Sequence, residues 1–262
     1  MRKVSLQVKD LNFSYKCWKV LQGVDFTLES GQLICVLGKN GAGKSTLFRC
    51  ILGMLKGYTG EIRLNNTNIK DYSISEIARN IAYIPQKHQA VYDYTVLDMV
   101  LMGTTSAISR FGVPGKEQKQ SALEALEMVD MLHYKERNFS HISGGEQQMV
   151  LIARAIAQKA KIIIMDEPCA SLDYGNQVRI MHMSKELVKK GYLIVQSTHS
   201  PEQVFLYADQ VMVLRNGKIA EFGQPNEVLT EEVLERIYGI GVTIYGYGTR
   251  GMKVCVPMKR ED

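Results

Sequence analysis

The stretch Gly38-Lys39-Asn40-Gly41-Ala42-Gly43-Lys44-Ser45-Thr46 constrains this chain more than any other. Four residues separate Gly38 from Gly43-Lys44-Ser45, the spacing of a phosphate-binding loop. Such a loop works between a buried strand and a helix whose positive end faces the phosphates. Both flanks are present: Leu33-Ile34-Cys35-Val36-Leu37 is a continuous apolar run of buried-strand type, and Ser45 to Leu52 reads as a helix. The glycines let successive backbone N–H groups curl into a nest that bulkier residues would block. Lys44 is then placed to reach the β- and γ-phosphates of a nucleotide, and Ser45 to hold Mg²⁺.

Length and composition matter for what they exclude. The 262 residues, 45% hydrophobic, suffice for one substantial core with a subdomain inserted into it. No apolar run approaches the roughly 18 residues that span a bilayer, and Met1 to Asp10 lacks a signal-peptide core, so a soluble, cytoplasmic chain is expected. Cys17, Cys35, Cys50, Cys169 and Cys255 form no CxxC pair and read as reduced packing thiols, not as a disulfide framework or zinc site. A net charge of +5 without a long basic block is poor support for nucleic acid. Phosphate ligands or lipid headgroups would explain it as well.

Alternation at Val24-Asp25-Phe26-Thr27-Leu28, and Gly60 to Leu64 before the Asn65-Asn66 turn, predict a small antiparallel sheet beside the loop. From about residue 87 to 160 the pattern is helical, with Ala122, Ala125, Leu126, Val129 and Leu132 at helix spacing and a glycine- and proline-bearing break around Phe111 to Gly115. An inserted helical subdomain is expected there. Strand-like Lys161 to Met165, a helix near Gly175 to Lys190 and strand-like Tyr192 to Ser197 then alternate as in a mostly parallel, doubly wound sheet. Asn216-Gly217 signals a hairpin, and beyond about residue 225 a helix and strand-like pieces run to Lys259-Arg260-Glu261-Asp262. The expected fold class is α/β: a P-loop NTPase core with an antiparallel β subdomain and an inserted helical one.

Ile162-Ile163-Ile164-Met165-Asp166-Glu167 is an apolar strand whose end delivers two adjacent acids, aimed differently by strand alternation. Asp166 fits an outer ligand of Mg²⁺ near Ser45, and Glu167 the group that polarises attacking water. Ser143-Gly144-Gly145-Glu146 opens another helix, with Ser143 as N-cap. A glycine-flanked cap of this kind is a second anion site. One ATP needs only one such loop, so the second is expected to serve another copy's nucleotide.

Taken together, Gly38 to Thr46, Ile162 to Glu167 and Ile142-Ser143-Gly144-Gly145-Glu146 resemble the ATP-binding subunit of an ABC transporter, as its Walker A, Walker B and signature motifs. The resemblance covers nearly the whole chain to about residue 240. It implies that Tyr15 stacks on adenine, with Phe13 and Trp18 as alternatives, that Gln86 is the Q-loop glutamine, Ser171-Leu172-Asp173 the D-loop and His199 the switch histidine. His88, His133, His141 and His182 read as surface or packing residues. Ile142 stands for the usual leucine of the signature, Glu146 for its common glutamine and Cys169 for a more usual threonine, which makes Cys169 a candidate target of thiol reagents.

The resemblance further implies a head-to-tail dimer, in which Ser143, Gly144 and Gly145 of one copy close over the ATP held by Gly38, Lys39, Asn40, Gly41, Ala42, Gly43, Lys44, Ser45 and Thr46 of the other, with Asp173 nearby. Mg²⁺ would be held by Ser45, Gln86 and Asp166, with Lys44, Glu167 and His199 acting at the phosphates. It implies an ATPase domain over 1–240, with its helical insertion at about 87–160, and a short extension at 241–262. Permease subunits in the membrane and, indirectly, a solute-binding protein are the implied partners, and a peripheral place on the cytoplasmic face of the cell membrane the implied location. Within the family, Val91 to Gly103, Ser143 to Glu146, and Val228-Leu229-Thr230 leading to Ile237-Tyr238-Gly239-Ile240 are most similar to importers of iron chelates, haem and cobalamin, with molybdate also open. The rival readings are a soluble ABC ATPase of DNA repair or ribosomes, an exporter subunit and a P-loop kinase.

Overall fold

The computed structural model describes residues 4–86, 93–107, 112–247 and 252–258. The sequence cues at Val91, Tyr92 and Phe111, His88, and the final Lys259 to Asp262 lie outside the described residues.

Strands β1 (Ser5–Tyr15) and β2 (Trp18–Glu29) form an antiparallel pair, and β3 (Gln32–Leu37) leads through the glycine loop into helix α1 (Lys44–Ile51). After β4 (Thr59–Leu64) and the two-residue β5 (Thr67–Asn68) come α2 (Ile74–Asn80) and β6 (Ile81–Ile84). Helices α3 (Val96–Leu101), α4 (Lys116–Met128) and α5 (Gly144–Ala157) follow. Then β7 (Ile162–Met165), α6 (Tyr174–Lys189), β8 (Leu193–Thr198) and α7 (Pro201–Tyr207) alternate. The hairpin β9 (Gln210–Arg215) and β10 (Lys218–Gly223), short helices α8 (Pro225–Val228) and α9 (Glu231–Tyr238), and the pair β11 (Val242–Tyr247) and β12 (Met252–Pro257) complete the order.

The central sheet has the order β10-β9-β3-β8-β7-β6, parallel except for β10, and a second sheet has the antiparallel order β2-β1-β4-β5. Alternation along the central strands divides the core. Ile162 and Ile164 of β7 and Val195 of β8 face the antiparallel sheet and α1, whereas Ile163, Met165 and Ile194 face the helical side under α3, α4 and α5. With both faces covered, these strands carry continuous apolar runs, as parallel strands must. Helix α2 was not among the expected helices, because it is seven residues long and buries only Ile77. Its sequence signal is a capping box, Ser73 with Glu76, repeated at α3 by Thr95 with Asp98.

Parallel strands of one sheet end on one side, and loops leaving their carboxyl ends meet there. The loops after β3, β6, β7 and β8 therefore converge.

Candidate active site

A cavity of about 410 Å³ opens at this convergence, lined by Tyr15, Val20, Asn40, Gly41, Gly43, Lys44, Ser45, Thr46, Gln86 and Glu167. Its volume is that of a nucleotide-sized site. Two glycines of the loop resist substitution for different reasons: a Cβ on Gly38 would lie 2.4 Å from the Leu214 carbonyl oxygen, and Gly43 has φ +107°, a backbone that side chains rarely adopt. Gly43 is the N-cap of α1 and offers no side-chain hydrogen bond, so the first N–H groups of the helix point into the cavity uncapped. That is the arrangement an anion fits.

Glu167 is the hub of the site. Its Oε1 lies 3.4 Å from Lys44 Nζ, its Oε2 accepts from Gln86 Nε2 at 2.8 Å, and His199 Nδ1 stands 3.8 Å from the same oxygen. Lys44 also donates to the Gly38 and Lys39 carbonyls, at 2.7 and 3.2 Å. The three donors of its ammonium are thus all engaged. Lys44 and Glu167 are 5% and 10% exposed, so their attraction is little screened by water. In this arrangement a carboxylate occupies the place at Lys44 that a terminal phosphate would take. Glu167 has φ +48°, a left-handed backbone that costs a non-glycine residue about 1 kcal/mol and recurs at functional sites. Its N–H donates to Ser197 Oγ at 2.9 Å, which helps hold that conformation.

Asp166 does not line the cavity. It is 5% exposed behind Glu167, where Ser197 Oγ donates to its Oδ1 at 2.6 Å and the Tyr83 hydroxyl is bonded to it. Burial, and then the Asp166 charge, push the Tyr83 phenol up to about 12, so it stays a neutral donor. No cation pairs with Asp166 among the described residues. No cluster of three or more His, Cys, Asp or Glu able to hold a metal occurs among the described residues. This donor set suits Mg²⁺, which keeps waters and phosphate oxygens as ligands and does not need a protein cage. Ser197, Tyr83 and Val20 escaped the sequence reading. The β7–β8 register places Met165 beside Gln196, hence Asp166 beside Ser197, but strand order is needed to see it.

Among the candidates for adenine stacking, Tyr15 is on the cavity wall and 44% exposed. Phe13 is buried edge-on beneath it at 4.9 Å, and Trp18 is exposed away from the lining, so the structure excludes Phe13 as a free stacking face. Lys39 and Ala42 line a neighbouring cavity of about 340 Å³ with Arg215 and Arg236. Lys39 acts at Lys44 through its carbonyl, not its ammonium. The proposal of Cys169 as a thiol-reagent target is corrected: the side chain is buried and its thiol is pushed up to about 12 by that burial, which leaves no reactive thiolate at neutral pH.

Ser143, Gly144, Gly145 and Asp173 are not brought to this cavity. Ser143 caps α5 in a closed box: its Oγ accepts from Glu146 N at 3.4 Å and its N–H donates to Glu146 Oε2 at 2.7 Å. Asp173 caps α6, accepting from Asn176 N at 2.9 Å and Asn176 Nδ2 at 2.6 Å. Asn176 packs on Gly145, where a Cβ would lie 2.3 Å from its Cγ, so signature and D-turn form one surface of the chain.

Comparison with known proteins agrees with this geometry. The model of the ABC transporter family matches residues 21–170. An ABC transporter ATP-binding protein of Haemophilus influenzae, of uncharacterised role, is 40% identical over 89% of each chain. The manganese transport system ATP-binding protein MntB of Listeria monocytogenes is 35% identical over 93% of this chain and all of its own. A solved transporter assigned to the metal-chelate type, in an inward-facing conformation, superposes with TM-score 0.87 at 32% identity and covers 99% of both chains. A phosphate loop, a glycine-flanked helix start and a strand-end acid pair follow one another in this order on this fold, and with the matches above they show that the chain belongs to the ABC transporter family, as an ATP-binding, Mg²⁺-dependent ATPase subunit.

Proposed function

We propose that this subunit powers import of a metal-bearing solute, with an iron chelate as the first cargo to test. The supporting observation is that the manganese-transport relative and the metal-chelate type structure each align over nearly the full length of both chains. Haem, cobalamin, molybdate and manganese belong to the same test.

In this reading the backbone of Gly38 to Gly43 and the start of α1 bind the ATP phosphates, Thr46 adds a hydroxyl, and Tyr15 stacks on adenine. Lys44 exchanges Glu167 for the terminal phosphates. That exchange frees the carboxylate of Glu167 to take a proton from attacking water, while Gln86 and His199 hold its orientation. Ser45, Gln86 and Asp166 would hold Mg²⁺, which when bound would offset phosphate charge. His199 then steadies the γ-phosphate.

Two copies pair head to tail, and Ser143, Gly144 and Gly145 of one complete the nucleotide site of the other, next to Asp173. The ATPase domain spans 1–240, with the helical insertion at about 87–160 moving on opening, and 241–262 is an extension. No helix among the described residues is long and apolar enough to cross a membrane. Transport therefore calls for permease subunits, on whose cytoplasmic side this chain sits, and indirectly for a solute-binding protein. Deleting the gene and following uptake of labelled iron chelates, haem, cobalamin, molybdate and manganese tests the cargo. Loss of one supports the reading, and undiminished uptake of all five overturns it.

A further inference from the structure

Beside the nucleotide cavity, the turn after Glu167 and the end of β8 face each other across a gap of about 110 Å³, with Ser171, Gln177, His199 and Gln203 on its walls. An unbroken hydrogen-bond chain spans it. Thr198 Oγ1 donates to Gln203 Oε1 at 3.2 Å, Gln203 Nε2 donates to Gln177 Oε1 at 3.0 Å, and Gln177 Nε2 donates to the Leu172 carbonyl at 2.8 Å. At its far end Thr198 Oγ1 accepts from Ser200 N at 3.1 Å, which leaves the hydroxyl proton for Gln203. The amide orientations are mutually fixed, because turning either glutamine over would set like atoms against each other. Thr198 immediately precedes His199, and Leu172 immediately precedes Asp173.

We propose that Gln177 and Gln203 are positioning residues that bind the D-turn to the strand end carrying His199, so that a displacement of either turn is passed to the other. The proposal rests on the roles given above to His199 and Asp173. It adds a route by which a second copy, pressing on the turn at Asp173, sets His199 for hydrolysis. Neither glutamine touches the nucleotide cavity, so the relay acts on the rate of the chemical step and not on ATP affinity. Helix capping alone would account for one part of the chain only: Gln203 lies in the first turn of the Ser200-capped α7. It gives no reason for an amide of α7 to meet an amide of α6.

The test uses the full chain with Gln177→Met, Gln203→Met, their double variant and Thr198→Val, which remove hydrogen bonds with little change of shape. Each should lower kcat for Mg-ATP hydrolysis about tenfold with KM and ATP affinity within about twofold, and the double variant should be no slower than either single one. Thr198→Val keeps the experiment decisive if a glutamine variant folds poorly. A wild-type kcat in Gln203→Met or Thr198→Val, a multiplicative fall in the double variant, or a change confined to KM or melting temperature would overturn the relay. His199→Ala, measured alongside, separates the two claims: wild-type hydrolysis there removes the role of His199, whereas the relay is judged by the non-additivity of the glutamine variants.

Discussion

Helices α1 and α5 both start among glycines, yet they are in opposite states. At α1, Gly43 leaves the helix without a side-chain cap, and the first donors face an open cavity beside Lys44. At α5, the Ser143 hydroxyl and N–H are both engaged by Glu146, and Gly145 is pressed by Asn176. The first is open to an anion; the second is already closed by a capping box worth about 1 kcal/mol. On the proposed function, a single chain holds one open phosphate site and, at α5, a second that another copy's nucleotide would complete.

The comparison breaks most visibly at Glu167. Glu167→Gln should lower the hydrolysis rate by about a thousandfold, because the amide keeps the shape but cannot take a proton from water. ATP affinity should hold or tighten, since Lys44 loses the carboxylate at 3.4 Å that competes with phosphate. Normal hydrolysis in a phosphate-release assay would assign the reaction to another group. Lys44→Ala should weaken ATP binding by about a hundredfold in calorimetry, through loss of a charge-assisted contact in a poorly screened site. Unchanged affinity would show that α1 alone makes the phosphate site.

A smaller effect sharpens the α5 side. Ser143→Ala should cost about 1 kcal/mol in urea unfolding and leave the ATP affinity of the single chain untouched. The Ser143 hydroxyl and N–H hold the Glu146 carboxyl below its ordinary value of 4.5. With the folded value depressed, the stabilisation is complete above the ordinary value and is lost as pH falls through the folded one. Ser143→Ala should therefore flatten part of the acid limb of the stability profile, and an unchanged limb would remove the box from the account.

How much of this was legible in the sequence follows the range of each interaction. The β3-loop-α1 unit and the acids after β7 were readable because spacing along one segment carries them. The capping boxes at Ser73, Thr95 and Ser143 are equally local, though only Ser143 was recognised as a cap. The engagement of Lys44 by Glu167, the clamp of Ser197 and Tyr83 on Asp166, and the Gln177–Gln203 pair each join segments that meet only once the sheet order is set. The left-handed backbone at Glu167 has no sequence signal at all, since glutamate rarely adopts it.

The claim that α5 carries a site completed by a second copy is tested most directly by the molar mass of Glu167→Gln with Mg-ATP, measured by size-exclusion chromatography with light scattering. The account predicts a particle of twice the 29.5 kDa chain, holding two ATP molecules and dissociating when Ser143→Ala is added to the same chain. A 29.5 kDa particle that retains bound ATP would contradict it.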